Sequence, residues 1–281
     1  MKTIGFIDYY ISEWHANNYV GWFKEVNEKL GDDFVVKYAW AEMDKSPLDD
    51  VTTDQWCEKY GVTKCDTIEE LCEKADYILI LSPSDPEKHL GYAEKALKYK
   101  KNTYIDKTFA PDYKTAKAIF DIAEKYGTKF FSSSALRYTT ELNNFKNVKS
   151  VITTGGGGNM PEYVIHQIEM AVKLLDAKAL EIKVEKVGES QYISNVKFSD
   201  DKQASIVFSP SNPFAVITQS EDGEAGYAKA ESDFFKGLLE DILRFYNTGV
   251  TSFDVNQTLE VMKVREGVIK GMDNCGAWIK L

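Results

Sequence analysis

Between Gly5 and Gly21 the chain has no glycine, although its opening, IGFIDYYISEWHANNY, is an apolar strand pattern running straight into a helical one. That absence removes the G-x-G-x-x-G turn on which a dinucleotide usually rests its pyrophosphate. Cysteine pairing is missing too. Cys57, Cys65, Cys72 and Cys275 show no C-x-x-C spacing and there are only three histidines, so no metal site is expected and the thiols read as reduced and structural. Positive charge is outweighed: the formal charge is −10 and the pI near 5.0. This excludes a general nucleic-acid or anionic-membrane surface, since both need clustered Lys and Arg. No apolar run approaches the roughly 18–20 residues of a bilayer span, and MKTIGFID places a single Lys ahead of its first acid. The expectation is a cytoplasmic protein with small-molecule partners, no nucleic acid and no membrane. Fixed-period repeats and low-complexity tracts are absent as well.

What is present is a chain of 281 residues, 43% hydrophobic, enough for a sizeable core and more in keeping with two domains than one. In the first part short apolar runs alternate with amphipathic stretches, which predicts strands at Thr3–Tyr9, Phe34–Trp40, Tyr77–Ser82, Thr103–Asp106 and Lys129–Ser132. After Ser12, residues Ala16, Val20, Phe23, Val26 and Leu30 form one helical stripe that stops at Gly31. Thr67 with Glu70 offers a capping box, and Pro86 and Asp112 open further helical stretches. The fold predicted is α/β, with residues 1–135 a Rossmann-like doubly wound parallel sheet that would bind a dinucleotide. After about residue 148 the tract TTGGGGNM leads into PEYVIHQIEMAVKLL. Then ALEIKVEKV, QYISNVKF, QASIVFSP and PFAVITQS alternate in the manner of a mainly antiparallel sheet. Helices are predicted over Ala228–Asn247 and Val255–Asp273. Residues 136–281 thus read as an α+β domain for substrate and oligomerisation, with the last helices free to pack back on the first domain. A sheet with one helix-covered face leaves the other for self-association, so a homo-oligomer is expected.

Three stretches carry more than fold. ADYILILSPSDPEKHLGYAEKALKYKKNTYIDKTFA has a strand ending in a Pro-containing loop, Ser82-Pro83, then His89, then a strand ending in Asp106-Lys107-Thr108. GGNMPEYVIHQIEMAVKLL sets Gly-Gly before a helix bearing Glu162 and His166. The chain closes on TLEVMKVREGVIKGMDNCGAWIKL. In this order the stretches resemble the Gfo/Idh/MocA family of nicotinamide-dependent oxidoreductases, named for glucose-fructose oxidoreductase and inositol dehydrogenase, over nearly the whole chain. The family has Glu-Lys-Pro where this chain has Asp106-Lys107-Thr108, and Asp-x-x-x-His where it has Glu162 and His166. The resemblance implies NAD or NADP as cofactor. It implies a sugar, polyol or related hydroxy compound as substrate, oxidised or reduced by hydride transfer.

By that resemblance His166 is the acid/base, with an unperturbed pKa of about 6.5 near working pH. Lys107 would hydrogen-bond the substrate oxygen and steady developing negative charge. Glu162, one helical turn earlier on the same face, would orient or support His166. Ser82, Pro83 and Asp106 would border the cofactor. Gly158 and Asn159 would wall the substrate, and His15, close to where many members carry a His, would contact it. Without the resemblance, Lys107 is a solvated strand-end lysine, Glu162 a first-turn acid favoured by the helix dipole, and the glycine tract a flexible turn. His89 packs or caps in either case.

The departures bear on the cofactor. Aligned on the first strand, Asp8, Tyr10 and Glu13 hold the three fingerprint positions, bringing bulk and two carboxylates towards a doubly negative pyrophosphate. The helix starting near Ser12 or Glu13 still offers N–H groups to an anion, with Ser12 beside them. Tyr9 and Tyr10 either stack on a nucleotide or sugar ring or pack the domain seam. In KYAWAEMDK, Glu42 or Asp44 stands where the family places an acid for the adenosine ribose, which favours NAD, while Lys45 opposes that preference. Two functions lead, an NAD(P)-dependent oxidoreductase with a modified pocket or a cofactor-free relative that binds a ligand or partner; a third, a redox-neutral elimination or hydrolysis assisted by a bound cofactor, starts with the same hydride step.

Overall fold

The computed structural model describes residues 1–281 and divides them into two compact units. The first comprises Met1–Ser133 and Leu238–Phe253. Its elements alternate: β1 Lys2–Asp8, α1 Trp14–Leu30, β2 Phe34–Ala41, α2 Thr53–Tyr60, β3 Thr63–Lys64, α3 Ile68–Lys74, β4 Tyr77–Ile80, α4 His89–Ala96, β5 Thr103–Ile105, α5 Tyr113–Tyr126 and β6 Phe130–Phe131. The strands form one parallel sheet in the order β3-β2-β1-β4-β5-β6, the doubly wound arrangement. In such a sheet both faces are covered, and the central strands are apolar throughout. Ile4, Phe6, Ile7, Ile78, Leu79, Ile80 and Ile105 are all fully buried. Close layering needs Gly5, whose added Cβ would fall 2.4 Å from Leu71 of α3. The order reverses between β1 and β4, so the crevice at their carboxyl ends is where an open sheet of this kind takes ligands.

The second unit comprises Ser134–Gly237 and Asp254–Leu281. It contains β7 Val148–Gly155, α6 Met160–Leu175, β8 Ala179–Lys186, β9 Tyr192–Phe198, β10 Gln203–Phe208, β11 Ala215–Ser220 and β12 Ala225–Lys229. The chain then runs through α7 Phe234–Thr248, α8 Gln257–Asp273 and β13 Trp278–Lys280. The seven strands lie in the order β12-β11-β7-β10-β9-β8-β13, antiparallel except for the β7–β10 pair. One face carries the buried row Val216, Thr153, Ile206, Ser194 and Val184, against which α6 and α8 pack. The closeness of α8 depends on Gly271, where an added Cβ would come 2.4 Å from Val184.

Some elements differ from the sequence expectation. The run from Ala228 does not begin a helix, because Ala225–Lys229 pairs as an edge strand with β11 and α7 starts only at Phe234. β7, hidden behind the glycine tract, is a central strand paired on both sides. From Leu238 onward α7 is part of the first unit, where the Tyr246 hydroxyl donates to the Ile78 carbonyl at 2.7 Å and its ring stacks on Tyr77 at 4.7 Å. No helix is long and apolar enough to cross a membrane.

Candidate active site

At the carboxyl end of β1 the chain fills its own turn. Asp8 is 1% exposed and its Oδ1 accepts from the backbone N–H of Tyr9 at 2.7 Å and from Ser82 Oγ at 3.3 Å, while Oδ2 has no partner. Burial, reinforced by the charge of Glu13, raises its pKa well above the ordinary carboxylate range. Tyr9 and Tyr10 follow with ring centroids 5.7 Å apart, and Lys88 Nζ sits 4.3 Å over the Tyr9 ring. Ser12 donates its hydroxyl to Asp49 at 2.7 Å. Glu13 then caps α1 with its side chain. The carboxylate accepts from the backbone N–H groups of His15, at 2.8 Å, and Ala16, and lies 3.1 Å from His15 Nδ1. His15 Nε2 faces Asp106 Oδ2 at 3.8 Å.

The other residues of this unit expected to meet a cofactor are likewise engaged by the chain. Glu42 pairs with Lys88 at 2.6 Å and accepts from the Tyr92 hydroxyl at 2.8 Å; the Lys88 hydrogen bond is the main cause of its lowered pKa. Asp106 directly follows β5, 1% exposed, its Oδ1 accepting from the Tyr104 hydroxyl at 3.1 Å and from Lys107 N–H at 2.8 Å. Ser82 adopts a left-handed φ of 72° and Pro83 is buried beside it. Lys107 is half-buried, and its bond to Thr108 is cis. His89 is a buried structural histidine, its two ring nitrogens against the carbonyls of Phe109 and Leu81.

In the second unit α6 carries the acid and the histidine. Asn159 is its N-cap, accepting from Glu162 N–H at 2.9 Å and donating through Nδ2 to the Glu162 carboxylate at 3.1 Å. One turn on, His166 Nδ1 meets Ser134 Oγ at 2.7 Å, with the Phe214 ring edge-on at 5.7 Å. Ser134 is itself fixed. Its Oγ accepts from Leu136 N–H at 3.1 Å, and its N–H donates to Glu169, which forms a buried ion pair with Arg137. Ser134 has no motif to mark it, beyond standing last in the run Ser132–Ser134 after β6. The glycine tract is needed largely for packing. An added Cβ at Gly156 would come 2.3 Å from the Ser209 carbonyl oxygen and one at Gly157 would strike the Tyr163 ring, whereas Gly158 and Asn159 are exposed.

Residues 43–134 match the family described as an oxidoreductase family with an NAD-binding Rossmann fold, named Gfo/Idh/MocA. The family resemblance is borne out. Solved structures match along nearly the whole chain. A probable dehydrogenase from Thermotoga maritima aligns with TM-score 0.79 at 12% identity, covering 99% of this chain and 98% of that one. An aldose-aldose oxidoreductase from Caulobacter crescentus aligns at 0.74 and 14%, covering 100% and 99%. UDP-N-acetylglucosamine 3-dehydrogenase from Acidithiobacillus ferrooxidans aligns at 0.74 and 10%, covering 96% and 97%. At these identities the likeness is one of fold. No curated protein sequence matches. The family match begins only after β1, α1 and the whole of β2, so it leaves out the turn that would seat a pyrophosphate. At that turn the residues do not fit the group: the N–H donors of α1 are taken by Glu13, and Asp8 adds a second carboxyl.

Proposed function

We propose that the protein is an oxidoreductase of the Gfo/Idh/MocA kind acting on a sugar, polyol or related hydroxy compound. His166 is its acid/base, Lys107 the donor to the substrate oxygen, and Glu162 the supporting acid. The observation that carries this is the hold on His166: Ser134 Oγ at 2.7 Å from Nδ1 fixes the ring, so that Nε2 is the nitrogen assigned to the substrate proton. On oxidation Nε2 is to take a hydroxyl proton from the substrate, and on reduction to return it. His15, Gly158 and Asn159 are proposed substrate contacts. NAD or NADP, when bound, would accept or supply the hydride. With Glu13 at the α1 N-terminus it would need a seat other than the usual one. A cytoplasmic setting is part of the proposal. So is a homo-oligomer, supported by the apolar row Tyr227, Ile217 and Ile152 on the open face of the second sheet.

One observation, the Glu13 carboxylate on the N–H groups of α1, favours a second function: a cofactor-free relative that binds a sugar-like ligand or a partner without redox chemistry. Titration with NADH and NADPH by nicotinamide fluorescence, after an acid extract is checked for retained nucleotide, separates the two. Saturable binding supports the oxidoreductase, and its absence supports the cofactor-free relative. On a substrate found by polyol screening, His166→Asn is expected to lower turnover at least ~100-fold with folding intact. An unchanged rate removes His166 from the chemistry.

A further inference from the structure

We propose that Glu13 is the resident anion of α1: its carboxylate takes the place a pyrophosphate occupies in a Rossmann-like unit, and the chain thereby excludes anionic nucleotides from the turn after β1. A helix N-terminus attracts anions because its first N–H groups lack carbonyl partners and its dipole presents a positive end. In this chain the carboxylate already accepts from His15 N–H at 2.8 Å and from Ala16 N–H, and it faces His15 Nδ1 at 3.1 Å. Glu13 is 5% exposed, so these charge-assisted bonds are shielded from water. A phosphate would have to displace a ligand tethered to the same chain, whose effective concentration is high.

Further carboxyl groups oppose an anion at the same place. Asp8 and Asp106 are each 1% exposed, and Oδ2 of each has no hydrogen-bond partner. Asp8 ends β1, and Asp106 directly follows β5, two strands away across β4. His15, between Glu13 and Asp106, supplies the compensating ring nitrogens, at 3.1 and 3.8 Å. Buried carboxyl groups thus stand where a pyrophosphate would need donors. The inference concerns α1 and its turn and does not rest on the roles given to Lys107, Glu162 and His166.

The test uses the full chain and two probes, NADH followed by fluorescence and inorganic pyrophosphate followed by calorimetry. Glu13→Ser keeps a capping hydroxyl while emptying the space, and Glu13→Gln keeps the shape while removing the charge. Circular dichroism establishes that each variant folds. The unmodified protein is expected to show no saturation by pyrophosphate below ~1 mM, whatever its affinity for NADH at another seat. Glu13→Ser is expected to bind at least one probe ~10-fold more tightly or better, with Glu13→Gln in between. Saturable pyrophosphate binding by the unmodified protein at tens of micromolar, or folded variants with no gain for either probe, overturns the proposal. The titration of the unmodified protein stands even if a variant fails to fold. Because turnover of a sugar is not read, failure here is distinct from failure of the acid/base assignment.

Discussion

Ser134 Oγ lies 2.7 Å from His166 Nδ1, and under the proposed function that bond orients the ring towards a substrate. With Nδ1 engaged, the orientation of the imidazole is set from behind. Ser134→Ala is expected to lower turnover about ten-fold, the equivalent of one hydrogen bond near 1.4 kcal/mol, and to shift the pH profile, while Ser134→Thr retains most of the rate. An unmoved pH profile in the alanine variant would confine Ser134 to capping the turn at Leu136. Asp8 shows a different residue-scale effect. Its pKa is raised by burial and by Glu13, so the folded state holds the proton to higher pH than the unfolded chain. The contribution of Asp8 to stability is therefore greatest in acid. It is lost as pH rises from the ordinary carboxylate range, about 4, through the raised folded value. Asp8→Asn keeps an acceptor for Tyr9 N–H and Ser82 Oγ and removes the titration. Calorimetry should show a gain in stability at neutral pH that shrinks towards pH 4. At this scale the spacing of Glu162 and His166 on one helix face is legible in sequence. The Ser134 contact is not, because a turn 32 residues from His166 supplies it.

Helices and strands reflect how far local pattern reaches. The stripe of α1 and its stop at Gly31, with φ of 69°, follow from 3.6-residue periodicity and glycine's tolerance of left-handed backbone. Strands β8 to β11 declare themselves by alternation. β7 does not, since its run into the glycine tract imitates a loop and only pairing with β10 and β11 makes it a central strand. α2 and β3 are short and carry little local periodicity, while Ala225–Lys229 takes strand form from its neighbour rather than from its own residues. At the end of β7 the glycines differ in kind. Gly156→Ala is expected to cost about 2–3 kcal/mol in urea unfolding, because the new Cβ meets backbone oxygens of Ser209 and Pro210 at 2.3 and 2.4 Å, which cannot yield cheaply. Gly158→Ala should be nearly neutral, with Tyr163 at an ordinary 3.6 Å. Equal losses at both positions would mean that backbone freedom, rather than space, sets the requirement.

For the molecule as a whole, self-association is the consequence to test. Ile152, Ile217 and Tyr227 lie opposite one another on three neighbouring strands, 40%, 47% and 67% exposed, on the face that α6 and α8 leave uncovered. Ile217→Glu is expected to reduce the mass measured by light scattering to that of one chain, with an unchanged circular dichroism spectrum. A mass that does not change would remove this face from any assembly. The sequence by itself determined the α/β class, the alternation of the first unit and the shared helix face of Glu162 and His166. Periodicity, caps and turn residues act over a few positions and are written locally. Only the tertiary structure decided that Leu238–Phe253 completes the first unit, that Ser134 holds His166, and that chain groups pair with Glu42 and Ser12. It also decided how Glu13 is used. An acid before a helix can face solvent, a ligand or the helix itself, and the burial of this turn beside Asp8, His15 and Asp106 commits the carboxylate to the N–H groups of α1.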